Sequence, residues 1–203
     1  MKKLVLLMLI AVSSMAFKLA DGGYKVGDTA ADFKLKNVNG KTVSLADYKA
    51  AKGYIVVFTC NHCPYAKAYE SRIMDLDKKY SAKGYPVIAI SPNDPVAEPA
   101  DSFEKMQELA SKKGYTFPYL IDETQDITRA YGAKATPHVY VLQKTAAGNV
   151  VKYIGAIDDD TENTKADKVK YVEGAVNALL SGKQPQVTAT KAIGCSIKWK
   201  KSA

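Results

Sequence analysis

Between residues 54 and 80 the hydrophobic period changes once, and two cysteines stand at the change. Tyr54-Ile55-Val56-Val57-Phe58 is an unbroken β-branched and aromatic run, the pattern of a strand buried on both faces. From Pro64 onward, Ala66, Tyr69, Ile73, Leu76 and Tyr80 recur at intervals of three and four, which gives one apolar face of a helix. Cys60-Asn61-His62-Cys63-Pro64 is the junction. A buried strand running straight into a helix calls for a parallel neighbour reached by a right-handed crossover.

The rest of the chain supplies those neighbours. Pro86-Val87-Ile88-Ala89-Ile90 reads as a second buried strand, and Phe103, Met106, Leu109 and Ala110 mark a second helix closed by Gly114. Phe117 to Ile121 is a short strand, and Asp126 to Tyr131 a short helix stopped by Gly132. His138–Leu142 and Val150–Ile154 form two further strands around the turn Ala146-Ala147-Gly148-Asn149. Val169, Val172, Val176 and Leu179 belong to a last helix ended by Gly182. Ahead of all this, Phe33-Lys34-Leu35 and Lys41-Thr42-Val43 alternate around Asn39-Gly40, which predicts a β-hairpin, and Ser44 to Tyr48 a helical turn. The expectation is an α/β fold: a mixed central sheet with helices on both faces and an N-terminal hairpin extension.

The start of the chain is different in kind. Lys2 and Lys3 precede an apolar run from Leu4 to Val12, and Ser14-Met15-Ala16 fits a small-x-small cleavage site. This predicts a secretory signal peptide over residues 1–16, with an alternative cut after residue 20. The run is too short to span a bilayer of about 30 Å. The domain then covers 21–182, and residues 183–203 form a tail expected to pack on it. Location is expected to be periplasmic or otherwise extracytoplasmic, with no membrane span left after cleavage.

Charge argues against one class of partner. The net charge is +8, about +6 without the signal, yet the lysines are spread along the chain with no basic stripe and no interleaved aromatics. Nucleic-acid binding finds no support. The basic end Lys198-Trp199-Lys200-Lys201 reads as a solvated tail.

Outside the cytoplasm thiols tend to be oxidised, and three cysteines leave one out of any intramolecular pairing. Cys60 stands where the first amides of a helix have no intrahelical partner and point at an anion. A thiolate there is stabilised, and only the thiolate attacks a disulfide. Cys63 lies one turn further in, where it could resolve a mixed disulfide, and Pro64 loses nothing by lacking an N–H in the first turn. Two other uses of the pair are open. A structural disulfide would close little chain entropy in so tight a loop; a zinc site would need two more ligands, and no second CxxC exists. His62 as a cation would stabilise the Cys60 thiolate and make the disulfide a better oxidant; otherwise it is an exposed histidine. Thr136-Pro137 directly precedes a strand, a place where an ordinary trans proline is tolerated. Cys195 is either buried and inert, with Ile197 and Trp199 packing one face of the tail, or an auxiliary thiol that reaches the pair.

Taken together, the lead-in Val26-Gly27-Asp28 and Asp32-Phe33, the strand entering Cys60-x-x-Cys63, and Thr136-Pro137 before a late strand resemble the thioredoxin-like superfamily, in its redoxin (AhpC/TSA-type) branch. More narrowly, Phe58-Thr59-Cys60-Asn61-His62-Cys63-Pro64, Ser91-Pro92-Asn93-Asp94, the stretch from Phe117 to Glu123, and the tail Ile193-Gly194-Cys195-Ser196-Ile197-Lys198-Trp199 resemble one bacterial thioredoxin-family group. The resemblance implies a thioredoxin-like fold with Cys60 as nucleophile, Cys63 as resolver, and Pro137 as a cis-proline beside them whose backbone docks a partner.

Its implied function is thiol–disulfide exchange on protein or small-molecule disulfides, with a redox protein as electron donor or acceptor and no cofactor or metal. Two rival readings stand beside it. One is a thiol peroxidase-like antioxidant enzyme, although Gly53 and Val57 occupy the places of a proline and a threonine in true peroxiredoxins and no arginine follows Pro137 in its strand. The other is a non-enzymatic copper-binding or assembly protein using Cys60, Cys63 and His138, since soft thiolates suit Cu(I). Ala66 stands where some extracytoplasmic reductases carry a glutamate.

Overall fold

The computed structural model describes residues 22–201; the expected signal peptide lies outside them. The strands are β1 (Thr29–Ala30), β2 (Leu35–Asn37), β3 (Thr42–Val43), β4 (Gly53–Phe58), β5 (Val87–Ser91), β6 (Tyr119–Ile121), β7 (Ala135–Thr136), β8 (His138–Thr145), β9 (Gly148–Gly155) and β10 (Cys195–Ser196). The helices are α1 (Pro64–Tyr80), α2 (Phe103–Lys113), α3 (Asp126–Tyr131) and α4 (Tyr171–Leu180). Eight strands form one sheet in the order β1-β9-β8-β4-β5-β6-β2-β3, and β10 pairs β7 in a second, two-stranded one. β4, β5 and β6 run parallel; the other pairings are antiparallel. This is the mixed α/β, thioredoxin-like architecture the sequence predicts.

Alternation along β4 divides the core. Ile55 and Val57 face α1, α2 and α4, where Tyr69, Ile73, Leu76, Met106, Val172 and Val176 cover them. Tyr54, Val56 and Phe58 face the other way, against Phe33, Leu45, Tyr131 and Ile197. Every residue of β4 is buried, which is why the run carries no polar alternation. Side chains such as Ile73 and Val176 each contribute about 1.5–3 kcal/mol by leaving water.

Local details differ from the sequence reading where side chains intervene. β2 begins two residues later than the hairpin pattern suggests, because Asp32 takes the Phe33 and Leu45 N–H groups at 2.7 Å each and turns Phe33 into the core. Only Ala146 and Ala147 separate β8 from β9. α1 stops at Tyr80, and a 3-10 turn carries the chain to Gly84, whose φ of 93° closes the segment. The short strands β1, β7 and β10 have too few residues to show a period, and the sequence gives no sign of them.

Candidate functional site

Cys60 follows the carboxyl end of β4, and Cys63 is the N-cap of α1 with Pro64 in its first turn. The Thr136–Pro137 peptide bond between β7 and β8 is cis. Cys60 Sγ lies 3.1 Å from Thr136 Oγ1, and Cys63 Sγ lies 3.3 Å from the Thr136 carbonyl oxygen. Sequence-predicted residues separated by more than seventy positions therefore meet at one place. Cys60 is 5% exposed and Cys63 fully buried.

The disulfide is not the one the CxxC spacing suggests. Cys63 is bonded to Cys195, with their Cα atoms 6.0 Å apart, while Cys60 is a free, buried thiol. The cause is the course of the tail. β10 runs antiparallel to β7 with Cys195 opposite Thr136 and Ser196 opposite Ala135. Ile197 is buried in the core behind it. Gly194 passes so close to the Thr136 carbonyl that a Cβ there would lie 2.2 Å from the oxygen, so a side chain at 194 is excluded. Further on, Lys198 N–H donates to Asn93 Oδ1 at 2.9 Å, the Lys198 carbonyl accepts from Asp94 N–H at 2.8 Å, and Lys200 N–H donates to Gln125 Oε1 at 2.9 Å. Arg129 stacks 4.4 Å from the Trp199 ring centroid.

The His62 ring is held between two carboxylates. Its Nδ1 is hydrogen-bonded to Asp101 Oδ2 at 2.6 Å, and its Nε2 lies 3.7 Å from Glu98 Oε2. Asp101 is completely buried at the end of a 3-10 turn over Pro99–Asp101. Its Oδ1 also accepts the Asn61 N–H at 2.7 Å and the His62 N–H at 3.0 Å, and its Oδ2 the Asn93 amide at 2.7 Å. Tyr119 Oη donates to Asn61 Oδ1 at 2.9 Å. Burial first, and the Asp101 charge second, push the Cys60 thiol up to about 11; the hydrogen bond with Thr136 pulls the other way. Sequence reading missed Asp101. Its one signal was Ser91-Pro92-Asn93-Asp94, whose Asn93 holds the same carboxylate.

Metal chemistry fits this arrangement poorly. Cys60, His62 and Asp101 place ligand-type atoms within 4.8 Å of one another, but the Asp101 carboxylate already accepts four hydrogen bonds and has no lone pair left to coordinate an ion. The copper set of Cys60, Cys63 and His138 does not assemble either. Cys63 is spent on Cys195, and the His138 ring accepts from Lys134 N–H through Nδ1 at 3.3 Å. Burial pushes His138 down to about 4, so it is neutral.

Comparison with known proteins agrees with the fold. The sequence profile described as the AhpC/TSA family matches residues 26–154. The thiol-disulfide oxidoreductase ResA of Geobacillus thermodenitrificans is 29% identical over 76% of this chain and 85% of its own length. A Mycobacterium tuberculosis protein with a provisional peroxiredoxin name is 28% identical over 66% of this chain and 78% of its own. The crystal structure of a conserved Geobacillus kaustophilus protein superposes with a TM-score of 0.80 at 37% identity, over 88% of this chain and 94% of that one. No helix among the described residues is long and apolar enough to cross a membrane.

Proposed function

Because this chain belongs to the AhpC/TSA family, whose thioredoxin-like fold hosts thiol–disulfide redox chemistry, we propose that it is an exported thiol–disulfide oxidoreductase acting through Cys60 and Cys63, with Cys195 as an auxiliary thiol. The observation that carries this reading is the meeting of all three cysteines at Thr136, one as a free thiol and two as a disulfide.

The chemistry balances within that set. The Cys60 thiolate attacks a partner disulfide, forming a mixed disulfide and releasing one partner thiolate. The Cys63 thiolate then attacks Cys60, forms Cys60–Cys63 and expels the second partner thiolate. Cys195, as thiolate, attacks Cys63, forms the Cys63–Cys195 bond seen here, and returns Cys60 to the thiol state. Two electrons and two protons pass to the partner: Cys63 and Cys195 each give up a proton to water, the two partner thiolates each take one up, and Cys60 regains the proton it lost. A redox protein that reduces Cys63–Cys195 completes the cycle. Run backwards, the same steps oxidise a dithiol partner. In this reading the Thr136–Pro137 backbone docks the partner chain, so the tail strand β10 and the partner compete for one edge. His62 tunes the potential of the pair. The N-terminal pattern of residues 1–16 supports a periplasmic or other extracytoplasmic location, and the motifs around Cys60 and Cys195 support membership of the bacterial group with a CNHCP loop and a GCSIKW tail.

The test is trapping. Cys63→Ser should accumulate mixed disulfides through Cys60, and Cys60→Ser should not. Equal trapping by both variants removes the assignment of roles. A peroxidase reading draws on the relative with a peroxiredoxin name, but Gly53, Val57 and a Cys60 thiol pushed up to about 11 all disfavour a peroxide-reactive thiolate in this state.

A further inference from the structure

Burying a carboxylate completely is costly unless donors replace its water. Asp101 has four, and three of them belong to the two residues between Cys60 and Cys63: the Asn61 N–H, the His62 N–H and the His62 ring. The fourth is Asn93. Asp101 thus determines how the loop is folded and which way the imidazole points. Asn93 then carries the connection outward, since its oxygen accepts the Lys198 N–H of the tail. One side chain touches both the carboxylate that holds the loop and the segment that carries Cys195.

We propose that Asp101 is the positioning residue of the redox loop: it clamps the Asn61–His62 turn and the His62 ring, sets its negative charge beside the Cys60 sulfur, and through Asn93 joins this arrangement to the docked tail. Cys60 is thereby held as an unreactive thiol while Cys195 is bonded to Cys63. This rests on the reading of Cys60 as the exchange nucleophile. The other groups around Cys60 do not supply the same effect. Glu70 and Tyr115 line a narrow cleft beside Cys60, but Glu70 is paired with Lys113 and accepts from Tyr115 Oη. Burial keeps Tyr119 protonated, Glu98 sits on the far ring nitrogen of His62, and His138 is neutral. Asp101 is the remaining anion that acts on Cys60.

The oxidised full-length chain provides its own assay, because Cys60 is then the single free thiol. Alkylation by iodoacetamide as a function of pH, with the Cys63–Cys195 bond checked by peptide mass, reports Cys60 alone. Asp101→Asn should move the curve down by a pH unit or more and speed labelling near neutral pH about tenfold, since one unit changes the thiolate fraction tenfold. A curve that stays in place or moves up overturns the proposal. A second measurement needs no variant: in the unmodified chain the Asn61 and His62 amide protons should resonate far downfield and exchange slowly with solvent, and ordinary, fast-exchanging resonances overturn the clamp. Neither readout uses turnover. If trapping at Cys60 fails while the alkylation curve still shifts, the exchange reading falls and the positioning role stands.

Discussion

Cys195 lies opposite Thr136 in a two-residue antiparallel pairing, and its sulfur is bonded to Cys63. The strand that brings Cys195 to the dithiol therefore occupies the backbone edge next to the cis-proline, and the tail's covalent and non-covalent attachments coincide. Opening the disulfide removes the covalent part of that attachment and leaves the backbone pairing and the buried Ile197.

Removing Cys195 should redistribute the oxidised state. In Cys195→Ala, Cys63 has no partner in the tail, and the available intramolecular disulfide is Cys60–Cys63. Peptide mapping of the oxidised variant should find that bond, with no free thiol left for alkylation. Recovery of two free thiols under oxidising conditions would show that the pair cannot close.

Trp199 is the single tryptophan of the chain and reports the tail. Reduction of Cys63–Cys195 should shift its emission to the red and raise its quenching by acrylamide as the ring leaves Arg129. The bond spans 132 positions, and a loop on that scale constrains the unfolded chain by about 4–5 kcal/mol. The thermal midpoint should fall on reduction as well. Identical quenching in both states would mean that the hydrogen bonds of Lys198 and Lys200 hold the tail without the disulfide.

Gly194→Ala places a methyl group against the Thr136 carbonyl. Backbone cannot yield cheaply there, and overpacking of this kind costs about 1–3 kcal/mol. The variant should form less of the Cys63–Cys195 bond at a given glutathione ratio and show Trp199 released from Arg129, with stronger acrylamide quenching. A normal yield of the bond would contradict the close approach.

Cys60 gives the folded chain a defined pH dependence. Its thiol is pushed up to about 11 in the folded state, against about 8.5 when unfolded. The folded chain holds the proton more tightly, so the stabilisation is complete below about pH 8.5 and is lost as pH rises toward 11. The amount is on the order of 3 kcal/mol. Denaturation of the oxidised chain at pH 8 and pH 10.5, compared with Cys60→Ser, isolates it from the tyrosines that also titrate in alkali. Equal losses in both chains would show that Cys60 is not held as a thiol.

Local patterning along the chain is enough to specify the scaffold and the place of the dithiol. Tyr54–Phe58 is buried on both faces and α1 on one, so each carries its period in neighbouring residues, and Cys60 and Cys63 are fixed at the junction by local chain geometry. Gly114 and Gly132 mark helix ends for the same reason: the left-handed turn is a property of one residue. What Cys63 is bonded to was decided elsewhere. That depended on Ile197 finding the core, on Gly194 clearing a carbonyl, and on a two-residue pairing too short to leave a pattern. Asp101 is likewise illegible in sequence, because a buried carboxylate is defined by the donors that surround it. Those donors come from Asn61, His62 and Asn93, which only the packing of β4, β5 and the Pro99–Asp101 turn brings to one point. Periodicity records how a segment meets its nearest neighbours, whereas a disulfide or a satisfied buried charge records where distant segments end up.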